Sequence, residues 1–178
     1  KIPLNGLGAA VFSPDGKGAI VTSSVFEDTY SLSYVSIKKP GELTPITVKG
    51  LEHKGAGEME NIIHLGEDRY AVIFNIDGCS WVYEGVFNDE KMTMKFKRVL
   101  VGQEPFEGGM MEHLDYDKVE DMYTFSFSTA TSPTQIYSIE GAKRKDLYLH
   151  TEERILGIPE ALLSKGEDAS FVSDDGLR

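Results

Sequence analysis

One cysteine, Cys79, stands among 178 residues, so no internal disulfide can form and a disulfide-stapled scaffold is excluded. Positive charge is scarce. Lys and Arg number 18 against 29 Asp and Glu, a formal net charge of −11. Such a surface repels phosphate backbones and anionic lipid. The densest basic stretches, 95–98 and 143–145, are too short to reverse that field, so nucleic acid is not an expected partner. Long hydrophobic runs are missing too: 70–74 is typical, well short of the roughly 20 residues that span a bilayer. Lys1 to Gly6 lack the apolar core of a secretory signal, and the chain has no Asn-x-Ser/Thr sequon. With a lone cysteine, these features make a reducing, cytoplasmic setting the expectation, with no membrane contact.

Catalytic signatures are equally sparse. No Gly-x-Ser-x-Gly nucleophile elbow occurs, and His53, His64, His113 and His150 show no His-x₃-His or Cys/His spacing that would hold a metal. Gly6 and Gly8, like Gly55 and Gly57, lack the third glycine and following helix of a phosphate cradle. The acidic stretch from Asp115 to Asp121 lacks the sixth-position Gly and distal Glu of a calcium loop, and reads as solvated turn charge. No catalytic residue, metal or cofactor is expected within the chain.

What is present is a repeat of strands. Short runs rich in β-branched and aromatic residues begin at Ala19, Ala71 and Tyr123, each 52 residues after the last. Gly57, Met59 and Glu60 recur at the same spacing as Gly109, Met111 and Glu112, and Gly50 recurs as Gly102. Tyr34, Tyr83 and Tyr137 mark a third strand in each unit. Four strands per unit follow: 7–12, 18–24, 31–38 and 43–49; 59–64, 69–75, 80–87 and 92–101; 111–116, 122–128, 134–139 and 145–150. Turn chemistry supports the joins, with Pro14 and Gly16 fitting a tight turn and Asp77-Gly78 a hairpin. His64 shares a repeat slot with Phe12 and Tyr116 and should pack like an aromatic ring.

Four short antiparallel strands repeated at this length are the signature of propeller blades. The expected fold is all-β, a partial β-propeller of about three four-stranded antiparallel blades at about 1–50, 51–102 and 103–152. A β-sandwich is the alternative. Apolar residues on both faces of 70–74 fit a strand with a blade on either side. Residues 153–178 break the pattern. Pro159 and Gly166 bracket a short helical turn, and a strand followed by a turn should come next, as an exit linker and the start of a following domain.

Ser13, Pro14, Asp15 and Gly16, followed by an apolar strand, resemble the turn between the first two strands of blades in propeller-bearing peptidases. The tail from Ala169 to Arg178, with Ser173, Asp175 and Gly176 after a short apolar stretch, resembles the point where chains of the prolyl oligopeptidase and acylaminoacyl-peptidase family leave the propeller for the α/β-hydrolase domain. The resemblance implies the non-catalytic C-terminal part of a propeller that gates short or acylated peptides into a serine hydrolase domain beyond Arg178. Its partners would be that domain and the peptides, with homo-oligomerisation possible. The resemblance places no catalytic residue on this chain. Glu60 and Glu112, at equivalent positions in the innermost strands of adjacent blades, are the candidate channel-facing residues, able to select peptide amino termini or ring a pore with negative charge. Their alternative role is pairing with backbone or a basic neighbour. Competing readings of the whole chain are a stand-alone protein-interaction propeller and a fragment of a propeller glycosidase.

Overall fold

The computed structural model describes residues 6–167 and 169–176. Residues 1–5, Asp168, Leu177 and Arg178 lie outside the described residues, and with them the start of the first repeat slot and the end of the tail motif. Among the described residues thirteen strands form three sheets. The first holds β1 (Leu7–Phe12), β2 (Gly18–Ser23), β3 (Ser31–Ser36) and β4 (Leu43–Pro45) in that order. The second holds β6 (Gly57–Gly66), β7 (Arg69–Ile76), β8 (Cys79–Asn88) and β9 (Thr93–Val101), with β5 (Thr47–Lys49) added at the β9 edge. The third holds β10 (Gly109–Asp117), β11 (Met122–Thr129), β12 (Ser132–Glu140) and β13 (Asp146–Leu149). The architecture is a partial, propeller-like all-β fold. Among the described residues no helix is long and apolar enough to cross a membrane.

The central sheet is buried on both faces, which is why β7 reads as an unbroken apolar run. Tyr70, Val72, Phe74 and Ile76 pack toward the first sheet with Ile20 and Leu32. Ala71 and Ile73 point the other way, into a second core with Met111, Tyr123, Phe125 and Phe127 of the third sheet. Strand alternation thus divides one segment between two cores. The β7–β8 hairpin closes through Asp77 (φ 49°) and Gly78 (φ 81°), the two positive φ values that a type I′ turn demands.

The 52-residue repeat has a structural cause at each matched glycine. A Cβ on Gly57 would lie 1.8 Å from the Asn75 carbonyl oxygen, and one on Gly109 would lie 2.3 Å from that of Ser128. Both innermost strands therefore press backbone against backbone where any side chain would intrude. Gly50 (φ 87°) and Gly102 (φ 116°) begin the segments that carry the chain from one sheet to the next.

Two expectations need correction. The segment 43–49 is not one strand. Pro45 has no amide to donate, and at Ile46 the chain changes sheets: Ile46 N donates to Leu32 O (2.9 Å), whereas Thr47 N donates to Met92 O (2.9 Å). β4 thus pairs antiparallel with β3, and β5 pairs parallel with β9, linking the first two sheets at their outer edge. In the tail, Glu160–Leu162 forms a single 3₁₀ turn, matching the short helical turn expected there. No strand forms at 169–173, since among the described residues no strand runs beside it to complete a ladder.

Candidate functional site

Glu60 and Glu112 sit on β6 and β10, the edge strands of the second and third sheets. The pairing register slips between Met59 and Asn61 and between Met111 and His113, so each glutamate is the extra residue of a β-bulge. The bulges match in their contacts as well. Met59 N donates to Thr29 O (3.1 Å), in the β2–β3 loop, and Met111 N donates to Ser80 Oγ (2.9 Å) of β8, each reaching back to the preceding repeat. Both glutamates are exposed, and among the described residues neither has a hydrogen-bond or ion-pair partner. Glu60 borders an open hollow of about 300 Å³ with Glu58, Asn75 and Asp77.

The histidines are separated. His64 stacks on Tyr70 (ring centroids 4.9 Å apart), as its repeat slot implied, just as Tyr116 packs on Tyr123 at 4.8 Å. Phe12, in the same slot of the first sheet, is 68% exposed. His113 is exposed beside Asp115, at 3.5 Å. His150 Nε2 lies 2.8 Å from Ser138 Oγ, a Ser–His contact that residue order did not reveal. Ser138 is 2% exposed, out of reach of a substrate, and among the described residues no orienting carboxylate joins the pair. His53 is set among Phe74, Trp81 and Tyr83 at the junction of the first two sheets.

The largest concentration of charge was not foreseen. Between the second and third sheets, Glu84 of β8 receives Arg144 Nε at 3.1 Å and the Tyr123 hydroxyl at 2.8 Å, with Arg69 at 3.6 Å and Arg98 at 3.8 Å. Asp121 receives Arg144 Nη2 at 2.6 Å and Arg69 Nη2 at 3.1 Å, and accepts from the Tyr116 hydroxyl. The Arg144 side chain is 3% exposed and that of Glu84 10%. Arg144 also stacks over Tyr123, 4.9 Å from the ring centroid. Arg144 above all, then Tyr116 and Arg69, holds the Asp121 carboxyl well below the ordinary range against the cost of burial. Burial, followed by the Glu84 charge, pushes the Tyr123 phenol far up. Asp121 is thus not simply solvated turn charge. Its neighbour Asp117 caps the β10–β11 turn, accepting from Val119 N (2.7 Å) and Glu120 N (3.1 Å). The signal that could have found the cluster is Glu84 itself, a lone carboxylate between the apolar runs 81–83 and 86–87 of a strand buried on both faces.

The two resembling turns share their geometry. Gly16 N donates to Ser13 O (3.0 Å), and Gly176 N donates to Ser173 O (2.9 Å). The Ser13 hydroxyl meets Asp15 Oδ1 at 2.8 Å, and the Ser173 hydroxyl meets Asp175 Oδ1 likewise. The Lys17 amide, helped by Ser13, draws the Asp15 carboxyl down to about 2.

No protein-family model and no curated protein sequence matches the chain. Solved structures do. Prolyl oligopeptidase B from Galerina marginata in its apo form superposes with a TM-score of 0.62 at 8% identity, covering 88% of this chain and 20% of that one. A mutant of the same enzyme, bound to a 35mer hydrolysis and macrocyclization substrate, gives 0.61 at 8% identity with the same coverage. The chain spans about a fifth of the length of these neighbours, and its three sheets have the fold of a propeller-like part of prolyl oligopeptidase.

Proposed function

We propose that this chain is the non-catalytic β-propeller portion of a prolyl oligopeptidase-like serine peptidase, of oligopeptidase or acylaminoacyl-peptidase type. In this reading it gates short or acylated peptides into an α/β-hydrolase domain of the same polypeptide outside these residues. The observation that carries the reading is the likeness of the three stacked sheets to prolyl oligopeptidase B. The Ser173–Gly176 turn beyond the last sheet adds support. Glu60 and Glu112 then face the central channel, their unpaired carboxylates presented by matching bulges. Negative charge repeated around a narrow passage attracts cationic and repels anionic peptides at long range.

The test compares the isolated chain with the longer polypeptide. A serine-reactive fluorophosphonate should label only the longer polypeptide, at a serine outside residues 1–178, and short chromogenic peptides should be hydrolysed only by it. Labelling within 1–178, or an inert longer polypeptide, overturns the peptidase reading. Glu60→Gln with Glu112→Gln should alter the salt dependence of peptide turnover and leave Tm unchanged. A lowered Tm with unaltered turnover would assign both residues to structure instead.

A further inference from the structure

The segments that carry the chain between sheets are two versions of one device. Each starts at a positive-φ glycine, Gly50 or Gly102, and each inserts one ring into an aromatic socket. In the second crossover the ring is Phe106, 3% exposed, at 4.9 Å from Phe125, 5.3 Å from Phe127 and 4.9 Å from Tyr137. In the first it is His53, at 5.2 Å from Phe74, 5.6 Å from Trp81 and 5.7 Å from Tyr83. By strand register Phe74, opposite Met59, corresponds to Phe127, opposite Met111, and Tyr83 on the next strand corresponds to Tyr137, so His53 occupies the place of Phe106. One plug is permanently apolar and the other is titratable.

The hydrogen bonds around His53 permit a single protonation state. The Tyr83 hydroxyl oxygen accepts from Glu52 N at 3.2 Å and from His53 N at 2.9 Å, which uses both of its lone pairs. The hydroxyl proton is then left for His53 Nδ1, 2.8 Å away, which must be unprotonated to accept it. A second proton on the imidazole would set a donor at Nδ1 against a hydroxyl already saturated with donors, and would place a cation among three aromatic rings in a half-buried site. We infer that His53 is a pH-sensitive plug: neutral, it locks the crossover at 50–56 through Tyr83, and protonated, it releases it.

Release has a structural consequence. The crossover forms one wall of a groove of about 580 Å³ between the first two sheets, whose other walls include Tyr30, Ile46, Met59 and Phe74. Ser31 Oγ on that groove is a buried side-chain atom without a partner among the described residues. The charged groups around His53 are Glu52 and Lys54 on the crossover, Asp77 in the β7–β8 turn, which accepts weakly from Ala56 N (3.4 Å), and Glu27 on the groove rim. Burial lowers the basicity of the ring below the ordinary value of 6.5. The released state binds the proton more tightly, so the lock is complete above about 6.5 and weakens as pH falls from there toward the lowered value.

Trp81 is the one tryptophan of the chain and touches His53, so its fluorescence reports the ring's charge. In the wild-type chain Trp81 emission should fall on acidification below neutrality. Amide protection at 52 and 53, corrected for intrinsic exchange, should drop roughly tenfold per pH unit between 6.5 and the lowered value, with 102–108 unaffected. His53→Phe, the solution found at Phe106, should abolish both changes, and His53→Gln, which cannot titrate, should do the same. Phe106→His should install the loss of protection at 102–108. Flat protection at 52 and 53 in the wild-type chain, or an equal loss in His53→Phe and His53→Gln, overturns the inference.

Discussion

At the scale of single residues, the molecule places polar atoms where their alternatives are worse, and the exceptions are informative. Tyr70 is fully buried, yet its hydroxyl reaches Phe12 O at 3.0 Å, so a polar tip on an apolar wall costs little. Ser31 has no such outlet among the described residues, where its hydroxyl is buried and unpartnered. An unsatisfied buried hydroxyl costs about 1–3 kcal/mol, so Ser31→Ala should raise stability by about 1 kcal/mol. Tyr70→Phe should lower it by about the same amount, because a carbonyl loses its donor. Chemical denaturation of the two variants checks the opposite signs. An unchanged midpoint for Ser31→Ala would show that the hydroxyl finds water in solution.

At the scale of strands, the repeat is a repeat of close approaches. Gly57→Ala should cost about 1–3 kcal/mol, because β6 must move off the Asn75 carbonyl to make room. Gly109→Ala should behave alike, since its Cβ would meet both Ser128 O and the Phe127 ring. Gly41→Ala is the control, with open space around its Cβ, and should be neutral within about 0.5 kcal/mol. Thermal melts of the three variants test the contrast, and equal effects at all three would detach the matched glycines from packing. This is also where the sequence was most legible. Periods of 52 residues and β-branched runs located the strands, because a sheet buried on both faces leaves a continuous apolar trace in β7. The change of sheets at Ile46 leaves only a faint trace in the sequence: Leu43 is out of phase with Ile46 and Val48, and Pro45 between them has no amide to donate. The bulges at Glu60 and Glu112 were also hidden. A bulge is a mismatch between two strands, and no single strand records it.

At the scale of the whole molecule, the two junctions between sheets are built on different chemistry and should fail under different conditions. The first is apolar, closed by the Tyr70 and Met59 hydrogen bonds and by the His53 plug. The second adds Glu84 and Asp121, bound by Arg69, Arg98 and Arg144, to an apolar core. Glu84→Ala removes the acceptor of Arg144 Nε and of the Tyr123 hydroxyl in a site almost closed to water, while Asp121 still pairs with Arg144, so it should cost about 1–3 kcal/mol. Lysine at 144 should recover little of the arginine's contribution, because one ammonium cannot reach Glu84, Asp121 Oδ1 and the Asp121 and Gly141 carbonyls together. The acid response follows from Asp121. Its carboxyl is held below the unperturbed 3.8, so its contribution is fully present above about pH 4 and is lost as pH falls through the lowered value. At pH 5, then, the second junction should remain closed while the His53 crossover has begun to loosen. Limited proteolysis followed by mass spectrometry at pH 7.5, 5 and 2.5 reads both junctions in one experiment, with cuts expected first at 50–56 and only in strong acid at the β10–β11 and β12–β13 turns. Cleavage of those turns before 50–56 on descending pH would mean that the ion cluster, not the imidazole, is the weaker of the two fastenings.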